Sequence, residues 1–252
     1  MLAERKVVFN PLDLYESGMD RIRERFSRES VLATQLLYPG IDPTVLELFL
    51  MHFSALGVAM TEPVEGWIRR AGERCEEMGL KELGTALRSH ARQEAGHHLM
   101  MIEDTRMLVN RWNEQHTLKL DADRILAQPI TEGVRRYREL HEQIIAGESP
   151  YRQIAVEYEI ERMSADYGKK WIEHCVRVLG EDIFDGLSFV REHAEIDIGH
   201  TKFNKLQLRK LLNNNPQYAG ELVSAGEAAL DAYDFFLGDC LQMARAHLNR
   251  PT

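Results

Sequence analysis

Apolar residues recur at spacings of three and four along almost the whole chain, and this helical periodicity is the strongest constraint on its fold. No stretch shows the strict alternation of apolar and polar residues that is typical of a half-buried strand. The 252 residues, 44% of them hydrophobic, are enough for one large domain with a sizeable core. We therefore predict an all-α fold, a single bundle of about seven long helices that spans residues 1–252.

Helix start and stop signals predict where these helices lie. Asn10-Pro11 and Asp42-Pro43 each combine an N-cap residue with a proline in the first turn, so a helix should begin at each. Pro63 should kink the second of these helices. The predicted helices cover residues 11–26, 43–79, 80–113, 131–146, 150–178, 181–212 and 218–248.

The charge and the cysteines exclude several classes of protein. The chain carries 31 Lys and Arg against 40 Asp and Glu, a net charge of -9 without a basic cluster, so nucleic acid and anionic membranes are not expected partners. Cys75, Cys175 and Cys240 form no CxxC pair, which suits a reducing compartment. The N-terminus has no apolar signal segment, and the most apolar run, 45–60, is too short to span a membrane. We expect a cytoplasmic location.

The stretch 191–204 places three ligand-type side chains on one face of a predicted helix. His193, Asp197 and His200 are spaced i, i+4 and i+7, so they project from one stripe. This stripe lies in the middle of the apolar arc of the helix, where a core helix would carry leucine. Because unpaired buried charges are costly, such groups must be paired or bound to a metal. We favour a metal site, and the alternative is a buried hydrogen-bond network.

A second helix contributes the sequence HARQEAGHH at 90–98. Glu94 lies at the centre of its buried side, and His97 follows at the i, i+3 spacing at which a carboxylate and an imidazole converge on one metal ion. His90 and His98 also fall on the buried side. The pair Glu94 and His97 is therefore a second candidate ligand set, with His98 as an alternative to His97.

The helix predicted for 150–178 carries three glutamates within five residues. Glu157 and Glu161 fall in its apolar arc, whereas the same phase turns Glu159 towards solvent. Glu161 is thus a candidate ligand, the role of Glu157 stays open, and the alternative for both is a buried pair with an arginine.

Two further glutamates flank the predicted kink at Pro63. A kink can turn a side chain inward, so either Glu62 or Glu65 is a candidate, although both could equally be solvated.

Together, four helices offer about four carboxylates and three imidazoles to one interior. Oxygen and imidazole ligands suit iron or manganese, and the lack of a thiolate argues against structural zinc. A set of this size is too large for one ion and about right for two. Two ions would also neutralise carboxylates that could not otherwise share a dry interior.

These motifs resemble the haem-oxygenase-like di-iron oxidases and oxygenases, which are related in fold to the TenA thiaminases. The last core helix of that family carries His-x-x-x-Asp-x-x-His, and His193, Asp197 and His200 match it without a gap. An earlier helix commonly carries ExxH, which Glu94 and His97 fit. The resemblance covers roughly residues 45 to 212 and is specific at the last motif.

The resemblance extends to two further glutamates. Tyr158 to Glu161 matches a Tyr-x-x-Glu segment of the family, and the position of the family's first-helix glutamate favours Glu62 over Glu65. The ligand set that the resemblance implies is Glu62, Glu94, His97, Glu161, His193, Asp197 and His200.

The resemblance also implies a seven-helix bundle, two iron ions and O2 as a co-substrate. Members of the family oxidise small amines, amino acids or fatty acids, and the fold does not choose among them. We expect a non-haem di-iron oxidase or oxygenase acting on a small organic substrate, with manganese as an alternative metal. The sequence allows a homodimer without indicating one.

Two other functions remain open at this stage. One is a bundle that stores or senses metal, which would need no pocket for an organic substrate. The other is a cofactor-free hydrolase of the TenA type with a cysteine nucleophile. Cys175 lies on the same predicted face as Glu161, but nearly four turns away, which disfavours the hydrolase.

Overall fold

A computed structural model describes residues 10–248, and this part of the chain is almost entirely helical and contains no strand. The prediction of an all-α fold is confirmed. The α-helices are α1 (Pro11–Glu29), α2 (Pro43–Thr61), α3 (Val64–Glu77), α4 (Lys81–Ala91), α5 (His98–Gln115), α6 (Ala122–Leu126), α7 (Glu132–Ala146), α8 (Gln153–Leu179), α9 (Ser188–Asn214) and α10 (Ala219–Leu248). Short helical turns lie at Leu32–Leu36, Pro150–Arg152, Glu181–Gly186 and Pro216–Tyr218.

The predicted helix starts are found where the capping residues stand. The side chains of Asn10 and Asp42 accept hydrogen bonds from backbone N–H groups of the first turns of α1 and α2. Pro63 separates α2 from α3, as expected of a residue that lacks an N–H.

The helix predicted for 80–113 is not continuous, so that prediction was wrong. α4 ends at Ala91, residues 92–97 form tight turns, and α5 begins at His98. Gly96 adopts a φ of 88°, a conformation that glycine reaches without the steric cost of a side chain. The break therefore lies inside the motif that contains Glu94 and His97.

α2 is the central helix of the bundle. Every residue from 46 to 57 is buried. α2 and α3 together, Pro43–Glu77, have the length and composition of a membrane span, but 78% of the most apolar window is buried inside the bundle. This burial identifies α2 as a core helix, as predicted for 45–60.

α8 and α9 pack antiparallel and carry most of the acidic and imidazole groups of interest. Glu161 contacts Asn204, and seven residues further along α8 Gly168 meets Ala194, which precedes Asn204 on α9. A Cβ atom on Gly168 would lie 2.8 Å from the Cβ of Ala194, so only glycine allows this close approach.

The contact between α7 and α10 depends on a second glycine, and its replacement is the first testable prediction. A Cβ atom on Gly133 would lie 2.6 Å from the Cα of Phe236, which is backbone and cannot turn aside. We expect Gly133→Ala to lower the free energy of unfolding by about 1–3 kcal/mol, the usual cost of overpacking. Urea unfolding followed by circular dichroism measures it.

Gly66→Ala is the matched control, because no atom lies within 4 Å of the added Cβ and the residue is helical. This variant should be unchanged or more stable by up to about 1 kcal/mol. Equal losses in the two variants would contradict the close contact between α7 and α10.

Candidate metal centre

Six acidic and imidazole side chains from three helices and one turn form two overlapping groups. In each group, the ligand-type atoms lie within 4.8 Å of one another. The first group consists of His90, Glu94, Glu161 and His200, and the second of Glu94, His97 and His193. Glu94 belongs to both groups, and a carboxylate in that position can bridge two ions.

The first group is tightly packed. His90 Nε2 lies 2.7 Å from Glu161 Oε1 and 3.4 Å from Glu94 Oε1. His200 Nδ1 lies 3.3 Å from the same Glu94 oxygen and 3.4 Å from the same Glu161 oxygen. One oxygen from each carboxylate and two ring nitrogens thus face a common point.

The second group uses the other oxygen of Glu94. His97 Nδ1 lies 3.0 Å from Glu94 Oε2, and the ring of His97 packs edge-on against that of His193 at 4.8 Å. The turn at 92–97 therefore brings Glu94 and His97 together, although the helical i, i+3 spacing on which the sequence prediction rested does not apply there.

Backbone and amide groups orient two of the imidazoles. His193 Nδ1 lies 2.8 Å from the carbonyl oxygen of Phe189, which can only accept, so this nitrogen carries the proton and Nε2 keeps its lone pair. His200 Nε2 donates to Gln93 Oε1 at 3.0 Å, and this contact leaves Nδ1 facing the first group. Hydrogen bonds of this kind set the tautomer of metal-binding histidines.

A carboxylate from α5 holds the start of α9. Asp104 is buried and accepts hydrogen bonds from the backbone N–H groups of Ser188 at 2.8 Å and Phe189 at 2.9 Å. It supplies from another helix the cap that α9 lacks in its own sequence. The position of His193, one turn further on, is thereby tied to α5.

The close contacts within the first group shift the pKa values of its members towards their charged forms. Burial alone would lower the pKa of His90, but the charge of Glu161 and its close contact with the ring raise that pKa to about 11. Burial would raise the pKa of Glu94, yet its contacts with His90 and His97 hold that pKa well below its usual value. The contacts of His200 with Asp197 and Glu161 raise its pKa to about 9.

The carboxyl groups of Glu157 and Asp197, which lie beside the first group, behave differently from that of Glu94. Burial raises the pKa of Glu157 to about 8, and its Oε1 accepts a hydrogen bond from Gln153 at 2.5 Å. Burial also raises the pKa of Asp197, whose Oδ1 lies 3.5 Å from His200 Nδ1.

Several buried polar atoms of this region lie close to charged partners but make no hydrogen bond of acceptable geometry. They include both ring nitrogens of His90, Glu94 Oε1, Asp197 Oδ1 and His200 Nδ1. Buried polar groups are normally satisfied, so a concentration of unsatisfied nitrogens and carboxylate oxygens at one point needs an explanation. A cation between them would supply the missing interaction, and the donor set of imidazoles and carboxylates suits iron or manganese.

The structure brings together most of the side chains predicted from the sequence. Glu94, His97, Glu161, His193 and His200 lie in the two groups, and Asp197 lies beside them.

The glutamates beside Pro63 do not join them. Glu62 is exposed at the end of α2, and Glu65 is partly exposed and paired with Arg69 at 3.4 Å. The proline interrupts the helix but leaves Glu62 facing solvent. His98, the predicted alternative to His97, is also outside both groups.

His90 is the group member that the sequence prediction did not select. It is buried and precedes Glu94 by four residues, so the two share one face at the end of α4. The i, i+4 spacing of His90 and Glu94 within the buried arc was the available signal.

The prediction that Glu159 faces solvent was wrong. Its side chain is 1% exposed, and it accepts hydrogen bonds from the Tyr15 hydroxyl at 2.6 Å and from Arg23 Nε at 2.9 Å. Side chains of α1 and the backbone of α10 at Gly226 cover this side of α8, which the periodicity of α8 alone could not reveal. Glu159 is thus part of an interhelical ion pair separate from the two groups.

A cavity of about 150 Å³ adjoins the two groups. Glu94, Glu161, His193 and Asp197 form part of its wall, and aromatic and aliphatic side chains form most of the rest. The candidate metal centre therefore opens onto a mainly apolar space.

Comparisons with known proteins establish the fold. A structure from Shewanella denitrificans OS217, a domain of unknown function with a heme oxygenase-like fold, is 15% identical with a TM-score of 0.70 over 97% of each chain. A CADD-like protein of unknown function from Nostoc punctiforme PCC 73102 is 11% identical with a TM-score of 0.59, over 94% of this chain and 99% of that one. A TenA homologue from Pseudomonas syringae pv. tomato DC3000 is 16% identical with a TM-score of 0.58, over 92% and 93%.

The chain thus has the haem-oxygenase-like, TenA-related fold, as the sequence motifs predicted. The sequence matches no protein-family model and no curated protein. Because one fold supports many reactions, the function has to be argued from the site.

Proposed function

We propose that this protein is an O2-dependent oxidoreductase that holds two iron ions and oxidises a small organic substrate. One observation carries the proposal: Glu94 belongs to both groups of ligand-type atoms, and these groups lie beside a mainly apolar cavity. A storage or sensing bundle has no need of such a cavity, whereas an oxidase requires a place for its substrate.

Each side chain of the two groups has a defined task in this proposal. Glu94 would bridge the ions, with His90, Glu161 and His200 completing one position and His97 and His193 the other. Asp197, buried beside His200, would add an oxygen to either position. The set omits Glu62, because its side chain is exposed.

The rest of the protein would orient the ligands and exclude water. Two reduced iron ions would supply two of the four electrons that the reduction of O2 to water requires, and the organic substrate would supply the other two. Gln93 and the Phe189 carbonyl hold the tautomers of His200 and His193, and the apolar walls keep solvent from the reacting groups.

The cysteine-dependent hydrolase receives no support from the geometry. Cys75, Cys175 and Cys240 are all buried, and none of them lines the cavity. Burial raises the pKa of Cys175 well above its usual value, so its reactive thiolate form is suppressed.

Anaerobic loading with Fe(II) followed by exposure to O2 tests the proposal. We expect about two iron ions per chain and rapid O2 consumption by the loaded protein. His193→Ala should lose about half of the iron and most of the O2 consumption, because His193 belongs to only one group. Glu195→Ala, an exposed position on the same helix, should match the wild type.

Two results would contradict the proposal. Wild-type protein that binds no iron after loading would exclude the di-iron centre. Iron-loaded protein that binds two ions but never consumes O2, with or without organic compounds, would favour storage.

A further inference from the structure

Two aromatic side chains connect the wall of the cavity with the protein surface. Tyr137 lines the cavity together with Glu94 and Glu161, and its ring packs against that of Trp67 at 6.3 Å. Burial raises the pKa of Tyr137 well above its usual value, and the charge of Glu157 adds to this shift. The charges of Glu161 and Glu94 contribute as well, so the phenol lies within electrostatic reach of the first group.

Trp67 occupies the next position outward from the cavity. It is 1% exposed, and its indole ring stacks at 4.1 Å on the imidazole of His141, which lies 4.7 Å from the ring of Tyr137. The indole N–H donates to Glu142 Oε1 at 2.8 Å. Glu142 is exposed and also pairs with Arg70 at 2.6 Å. A series of short aromatic contacts thus leads from the cavity to a carboxylate at the surface.

The hydrogen bond to this carboxylate distinguishes Trp67 from the other two tryptophans of the chain. Trp112 donates to the backbone carbonyl of Leu118 at 2.8 Å, and within residues 10–248 only Trp67 donates to a carboxylate. An indole that loses one electron becomes a strong acid at its N–H group. A carboxylate can take up that proton and a peptide carbonyl cannot. Trp67 is therefore placed to lose an electron and a proton together.

The proposed function creates a need for such a group. The reduction of O2 to two waters takes four electrons, of which the two iron ions supply two and the organic substrate two. When no substrate is bound, the missing two electrons have to come from elsewhere. Tyrosine and tryptophan are the side chains that most readily give up a single electron, and Tyr137 stands in the cavity wall with Trp67 behind it.

We propose that Trp67 and Tyr137 form a path by which a small thiol at the surface supplies these two electrons when no substrate is bound. This inference rests on the proposed function. Trp67 loses one electron, which crosses Tyr137 to the iron centre, and passes its N–H proton to Glu142. The thiol then gives one electron to the indole and its own proton to solvent, and Glu142 returns the first proton to the indole.

Two such rounds balance the reaction. Two thiols become one disulfide, and their two electrons join the two from the iron ions. One O2 then takes up four protons from solvent and becomes two waters, and both iron ions end as Fe(III). Trp67, Tyr137 and Glu142 are restored to their starting states.

Mass spectrometry of Fe(II)-loaded protein exposed to O2 without substrate or thiol locates the electron donor. We expect oxygen addition at Trp67 in preference to Trp112 and Trp171. We also expect a tryptophan radical in the electron paramagnetic resonance spectrum of samples frozen during the reaction. Glutathione should suppress both signals. Oxidation concentrated at Trp171, which also lines the cavity, or the absence of any oxidised tryptophan would overturn the path.

Two matched variants test the path by its protective effect. Trp67→Phe should lose the radical, and glutathione should no longer preserve its iron-binding capacity through repeated substrate-free exposures to O2. Trp112→Phe makes the same change at a buried tryptophan that also stacks on a histidine, His116 at 3.7 Å, and does not contact Tyr137. This variant should behave as the wild type. Equal protection of the two variants by glutathione would overturn the path.

Glu142→Gln keeps the inference testable if Trp67→Phe fails to fold. Glu142 is exposed, and an amide oxygen in its place can still accept the indole N–H but cannot take up the proton. We expect the tryptophan radical to form more slowly and to keep its exchangeable proton, which its hyperfine coupling in H2O and D2O reveals. A radical of unchanged rate and unchanged coupling would overturn the proton transfer on which the path depends.

Iron content and O2 consumption separate this inference from the function on which it rests. Protein that holds two iron ions and consumes O2, but gives the same results in Trp67→Phe and Trp112→Phe, overturns the path and leaves the function standing. Protein that holds no iron or consumes no O2 overturns both.

Discussion

Glu94→Ala is expected to abolish iron binding at both positions. Glu94 offers Oε1 to the first group and Oε2 to the second, and no other side chain of residues 10–248 belongs to both. Its removal takes a charged ligand from each position, so the affinity of each should fall by well over the roughly 10- to 100-fold typical of outer-shell changes. Metal analysis after anaerobic loading and desalting measures the effect.

Comparison with variants of a single group makes this prediction specific. His97→Ala and His200→Ala each affect one group, so each should retain about one ion per chain where Glu94→Ala retains none. Glu195→Ala provides the surface control. If Glu94→Ala kept as much iron as His97→Ala, Glu94 would not be a shared ligand.

Glu159→Gln is expected to destabilise the fold without removing iron. The change leaves Arg23, whose side chain is 14% exposed, beside an uncharged amide in the contact between α1 and α8. Removing one partner of a buried ion pair costs about 3–5 kcal/mol when the other charge is left unpaired. Arg23 keeps its contact with Glu16 at 2.7 Å, so we expect a loss below that range. Thermal and urea unfolding of the metal-free protein measure the loss.

The iron content of a Glu161→Gln variant provides the comparison for Glu159→Gln. Glu161→Gln changes a residue of the first group, so it should lower the iron content, whereas Glu159→Gln should load like the wild type. These opposite outcomes distinguish a ligand from an interhelical ion pair two residues away. Loss of iron from Glu159→Gln under conditions where it is fully folded would contradict the assignment.

Local signals in the sequence determined the helices and the principal motif. Asn10 and Asp42 mark helix starts because their side chains satisfy the first N–H groups, whatever the rest of the chain does. His193, Asp197 and His200 could be assigned to one stripe of α9 because helical periodicity depends only on spacing. The all-α fold follows from the same periodicity repeated along the chain.

Contacts between distant segments decided what spacing could not. Glu159 is buried because α1 supplies Tyr15 and Arg23 to a side of α8 that is polar in sequence. Residues 92–97 form a turn between α4 and α5 and not a helix, and from this turn the Glu94 side chain reaches both groups.

The cavity is also a product of tertiary structure, since its wall combines side chains from α2, α8, α9 and α10. A sequence specifies the direction of a side chain relative to its own helix. Burial, pairing and enclosed space depend on which other helix covers that side, and only the packed bundle decides that.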